Sequence, residues 1–116
     1  MMKKLLIASV VALAMGSCAT APKTLYAWHD YADKTYEYRK NPTDELKDKV
    51  LEEYKLMIEK QNGTRGVVPP GMFAEYGYML YMTGNQEKGL NYLRQEVELY
   101  PESDKYISRI IKQLEK

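Results

Sequence analysis

One cysteine, one histidine, one tryptophan and one phenylalanine are all that 116 residues hold of four residue types that carry much chemistry and core volume elsewhere. A single thiol, Cys18, cannot close a disulfide within the chain. A single imidazole, His29, excludes a histidine-rich zinc site and a paired-histidine mechanism. His29 stands beside Trp28 and Asp30 and is expected on the first helix, as a surface or hydrogen-bonded structural side chain. Glycine is sparse, and Gly63, Gly66 and Gly71 do not fit the spacing of a phosphate loop, nor does a lysine follow in place. Charge of one sign is also missing, with 17 Lys and Arg against 16 Asp and Glu. Nucleic acid is therefore not an expected partner. The carboxylates are interleaved with cations, as in Glu52, Glu53 and Lys55, so no paired-carboxylate site is indicated. No catalytic residue, no metal and no cofactor is expected, and the chain is not read as an enzyme.

Long apolar runs are scarce too. The first, Leu5 to Met15, is 11 residues, well short of the roughly 20 that cross a bilayer as a helix. It follows Lys3 and Lys4 and leads into Gly16 and Ser17, the arrangement of a basic region, an apolar region and a small-residue cleavage site, so residues 1–17 read as a signal peptide. Removing Lys3 and Lys4 with it turns a formal charge of +1 into −1. The stretch Met15-Gly16-Ser17-Cys18 resembles a bacterial lipobox, with Met15 where leucine is usual and of similar size and polarity. That resemblance implies that the Cys18 thiol takes a diacylglyceryl group, that the leader is cut before it, and that the new amino terminus is acylated, palmitate being one such chain. Two or more acyl chains give stable anchoring. Ala19, in place of an aspartate, implies delivery to the outer membrane with the domain facing the periplasm. Residues 18–24 would be an acylated tether, and residues 25–116 the domain.

That domain is small, burying roughly 60–70% of its unfolded surface. Its bulk comes from 11 tyrosines. Thr24 is expected to cap a first helix carrying Trp28, Tyr31, Ala32 and Thr35, which Asn41-Pro42 ends. Thr43 caps a second, with Asp44 and Glu45 in its first turn and Leu46, Val50, Leu51, Tyr54, Met57 and Ile58 on one face, until Asn62-Gly63. The span from Gly63 to Gly71 is a loop. A third helix is expected from near Pro70 and a fourth from beyond Thr83-Gly84-Asn85 to Pro101. A fifth carries Ile107, Ile110, Ile111 and Leu114 on its core side and Lys105, Arg109, Lys112 and Glu115 on its solvated side. The fold class is all-α, about five helices in antiparallel hairpins.

Residues 70–103 hold Phe73, Tyr76, Gly77, Leu80, Gly84, Gly89, Leu93 and Pro101 at the spacings of the tetratricopeptide repeat, which they resemble. Gly77 and Gly89 are expected where the two helices cross closely. Glu96 stands where that pattern has a small residue, so it is expected to snorkel or face outward. One repeat cannot bury its own face, and the first two helices could supply a degenerate neighbour with Trp28 in the place of Phe73. Tyr76, Tyr92 and Tyr100 are assigned to packing. In such repeats the first helix of each hairpin lines a concave face, which would present Ala74, Tyr78 and Tyr81 to a partner.

The chain as a whole resembles a family of small bacterial lipoproteins built on a domain of unknown function. The residues that carry the likeness are the lipobox, the run Ala21-Pro22-Lys23-Thr24-Leu25-Tyr26, then Trp28, Tyr31 and Val68-Pro69-Pro70-Gly71 ahead of the hairpin. The resemblance implies neighbours that include a lipoprotein similar to the curli-secretion pore, and so a shared envelope assembly. Two functions are expected to compete. One is a lipid-anchored helical adaptor for another envelope protein in an assembly or secretion-associated complex. The other is a lipoprotein that binds or modifies carbohydrate or cell wall through Asp30, His29 or the tyrosines.

Overall fold

A computed structural model describes residues 23–116. Residues 1–17, read above as a signal peptide, and Cys18 lie outside the described residues. Within them the chain forms five α-helices and one short 3-10 turn, with no strand: α1 Tyr31–Lys40, α2 Asp44–Glu59, α3 Met72–Met82, α4 Gln86–Leu99, the turn Pro101–Ser103, and α5 Asp104–Leu114. The fold class is all-α.

The longest helix, α2, starts where its sequence provides a cap. The Thr43 hydroxyl accepts the Leu46 amide at 3.2 Å, and Asp44 and Glu45 occupy the first turn, where carboxylates suit the helix dipole. Its apolar face delivers Val50, Tyr54 and Met57 to a core completed by Val68 of the loop and by Met72, Tyr76 and Leu80 of α3. Met57 and Leu93 are fully buried. Side chains of that size each contribute about 1.5–3 kcal/mol on burial.

The first helix begins six residues later than the sequence suggests. Thr24 is not its cap, Trp28 and His29 precede it, and Trp28 does not take a helical position equivalent to that of Phe73. The reason lies in long-range bonds that local periodicity does not register. Thr24 and Leu25 accept the amides of Thr64 and Arg65 at 3.0 and 3.2 Å. Ala27 donates its amide to Gln61 Oε1 at 2.6 Å and accepts from Gln61 Nε2 at 3.2 Å. Residues 24–30 are thus a strap lying across the end of α2, and His29, with φ 49, turns the chain from strap into helix. The His29 Nε2 meets the Lys60 carbonyl at 3.0 Å. The Asp30 amide donates to Glu53 Oε2 at 3.1 Å.

The third helix starts at Met72, near Pro70 as the sequence suggests. Gly71 caps it with φ 92, a left-handed conformation that glycine adopts without steric cost and that cannot continue a helix. From there α3 runs into its hairpin with α4. A methyl group placed on Gly77 would lie 2.6 Å from the Gly89 carbonyl, and one on Gly89 would lie 2.5 Å from the Gly77 carbonyl. The two helices therefore meet backbone to backbone at these reciprocal positions.

Candidate partner-binding groove

The close crossing of α3 and α4 leaves the outer face of α3 to be flanked by α5. Ala74, Tyr78 and Met82 of α3 then face Tyr106, Ile107, Ile110 and Leu114 of α5 across a groove of about 960 Å³. Its walls are apolar and aromatic, and they stand out from the surface. Tyr78, Met82 and Tyr106 are 47%, 62% and 67% exposed. A second recess, of about 700 Å³ over the α3–α4 turn, is lined by Gly84, Asn85, Gln86, Glu87, Lys88, Asn91 and Arg94. Polar side chains line that recess, so it has no comparable anchor for a partner.

Carboxylates enter the groove from three elements. Glu75 comes from α3, Glu96 from α4 and Glu102 from the 3-10 turn. Glu96 does not face outward, as its length and charge suggest. It is only 2% exposed, because the Gly71 amide at the start of α3 donates to its Oε1 at 2.5 Å. A carboxyl oxygen accepting at a helix N-terminus satisfies one of the amides that the helix itself leaves without a partner. The other oxygen, Oε2, is buried and has no hydrogen-bond partner among the described residues. Next to Glu96, the Tyr100 hydroxyl donates to the Val68 carbonyl at 2.5 Å, fixing the loop against the end of α4.

Glu75 is held differently. The hydroxyls of Tyr31 and Tyr54 both donate to its Oε2, at 2.7 and 2.8 Å. Burial first, and then the bond to Glu75, push the Tyr31 phenol from 10.0 up to about 12. The same two causes push Tyr54 upward as well. Both phenols therefore remain protonated donors over the ordinary pH range. They also belong to a run of touching rings from the strap to α4. Centroid separations are 6.2 Å for Tyr26–Trp28, 5.7 Å for Trp28–Tyr31, 5.6 Å for Tyr31–Tyr54, 5.7 Å for Tyr54–Tyr76 and 4.8 Å for Tyr76–Tyr92. Phe73 stacks on Tyr92 to end it. The groove's Glu75 is thus connected through tyrosine side chains to the segment that leads toward the N-terminus.

Of the three partner-facing positions read from the sequence, Ala74 and Tyr78 line the groove and Tyr81 does not. Tyr81 is half-buried in the hairpin crossing, where its backbone and Cβ crowd Gly89, and its hydroxyl donates to the Leu114 carbonyl at 2.7 Å. It fastens the end of α5 rather than facing a partner. Met82, Tyr106, Glu75 and Glu96 were not singled out by spacing as groove residues. Met82 and Tyr106 are apolar positions off their helices' core stripes, a signal that becomes specific only once α5 is seen beside α3. His29 and Asp30 belong to the strap and are not part of the groove lining. Among the described residues, no group of three or more His, Cys, Asp or Glu is placed to hold a metal ion, and no helix is long and apolar enough to cross a membrane.

Residues 25–110 match the family described as a domain of unknown function, DUF4810. The chain belongs to that family. No curated protein and no solved structure matches it. The DUF4810 span includes the strap from Leu25 on, α1 to α4 and most of α5, so every groove-lining residue except Gln113 and Leu114 falls within it.

Proposed function

We propose that this DUF4810 protein is an outer-membrane-anchored lipoprotein that acts as a helical adaptor, holding another envelope protein in the groove between α3 and α5. The observation that carries the reading is the row of exposed Tyr78, Met82 and Tyr106 along one concave surface. Tyrosine and methionine are residue types enriched where proteins meet. Large apolar side chains gathered on one exposed surface mark interaction sites more often than isolated ones do. The anchor is Cys18, on the lipobox-like stretch Met15-Gly16-Ser17-Cys18, and Ala19 supports the outer membrane with the groove facing the periplasm. In this reading the protein places a partner at the membrane and turns over no substrate.

A mild crosslink in intact envelopes followed by recovery of the protein tests the proposal. Stoichiometric recovery of one envelope protein, lost when Tyr78 is replaced, is the expected result. Enrichment of glycan fragments alone would favour the carbohydrate- or cell-wall-binding alternative and overturn the adaptor.

A further inference from the structure

The groove has a charge imbalance that its own residues do not correct. Glu75, Glu96 and Glu102 line it, while no lysine, arginine or histidine is among its described lining residues. Arg94 lines the other recess and lies 3.7 Å from Glu115. The most buried of the three acids, Glu96, has one oxygen occupied by Gly71 and the other with no partner among the described residues. Buried polar atoms in folded proteins are nearly always hydrogen-bonded, and a buried charge without a partner is costly. An occupant that brings a hydrogen-bonding cation to Glu96 would remove that cost, and exposed apolar walls on both sides require that the occupant be apolar around the cation.

We propose that the groove binds a peptide segment of a partner protein that is apolar along its flanks and inserts an arginine or lysine toward Glu96, with Glu75 and Glu102 attracting the same charge from the rim. This rests on the adaptor reading and specifies the occupant. Arginine suits the site best, because its planar fork offers several donors to carboxylates in fixed geometry. Acidic segments and anionic lipid headgroups are disfavoured by the same three carboxylates.

Two fluorescent peptides of equal length and leucine content, one bearing arginines and the other glutamates at matching positions, are titrated by anisotropy against the full chain in neutral detergent. The arginine peptide is expected to bind at least about tenfold tighter, with the difference shrinking as salt rises. Glu96→Gln should remove most of that preference. Exposed Glu102→Gln should weaken the arginine peptide severalfold with no change in melting temperature, and it carries the test if Glu96→Gln does not fold. Equal binding of both peptides, or arginine-peptide binding unchanged in both variants, overturns the proposal. So does free arginine binding as tightly as the peptide, or a dimer of this chain that blocks the groove. If neither peptide binds while Tyr78→Ser still abolishes capture of the envelope protein, the adaptor stands and the basic segment falls.

Discussion

Glu96, in the last turn of α4, accepts the amide of Gly71 at the start of α3 across a 2.5 Å bond. The N-terminus of one helix is capped from its hairpin partner, since Gly71 has no side chain with which to cap it. Glu96→Ala leaves that part-buried amide unpaired, and should cost about 1–3 kcal/mol, measured by urea unfolding. Glu96→Gln keeps an acceptor and should cost less. Equal stability of Glu96→Ala and the parent would mean that the bond does not support the fold.

The crossing of α3 and α4 leaves no room for a side chain at Gly77. A Cβ there would meet the Gly89 carbonyl at 2.6 Å and the Leu93 amide at 2.9 Å, and both are backbone atoms that cannot swing aside. Gly77→Leu should lower stability by about 1–3 kcal/mol or more, a large share of what a small domain has. Thermal melts check this, and an unchanged melting temperature would place the crossing elsewhere.

The Gln61 side-chain amide makes four bonds, two that hold the strap at Ala27, one from the Gly63 amide and one to the Met57 carbonyl. In Gln61→Ala the strap should loosen before the helices do. Hydrogen exchange at the Ala27 amide should accelerate and Trp28 fluorescence should shift, while global stability falls by no more than about 1–1.5 kcal/mol per lost bond. Unchanged protection at Ala27 would show that the strap is held by other contacts.

High pH should expose the Tyr31–Glu75–Tyr54 arrangement. The Tyr31 phenol is raised from 10.0 to about 12 in the folded chain, so the folded state retains its proton when the unfolded state releases it. The stabilisation is therefore complete below pH 10 and lost as pH rises toward 12. Tyr54 shifts in the same direction. Chemical denaturation across pH 9–12 should fall less steeply for the Tyr31→Phe, Tyr54→Phe double variant than for the parent, and parallel curves would contradict the assignment.

The anchor is tested apart from the fold. A serine hydroxyl cannot replace the Cys18 thiol as lipid acceptor, so Cys18→Ser should accumulate as uncleaved precursor and take up no labelled palmitate. Equal labelling of both proteins would end the lipoprotein reading.

Helix order and the hairpin were legible in the sequence because they rest on local signals, the Thr43 cap, the stripe Phe73, Tyr76, Gly77, Leu80 and the stop at Pro101. The strap was not legible. Trp28, Tyr31, Ala32 and Thr35 fit helical spacing, yet Trp28 lies outside the helix, because the backbone of residues 24–27 is bonded to residues 61–65, more than thirty positions away. The burial of Glu96 is not legible in the sequence for a related reason, since its partner is a backbone amide that no side-chain pattern reveals. Tyr78 and Tyr81 looked equivalent by spacing, and only the position of α5 separates the groove residue from the one that fastens Leu114.

In the proposed adaptor, Tyr78 and Tyr106 wall the α3–α5 groove in which a partner is held. Tyr78 is 47% exposed and Tyr106 is 67% exposed, so replacing both with serine removes groove wall without opening the core. Crosslinked recovery from intact envelopes, measured beside a thermal melt of the same variant, tests the claim most directly. Loss of the co-recovered envelope protein with an unchanged melting temperature is the expected result. Full recovery of that protein by a variant that melts like the parent would contradict it.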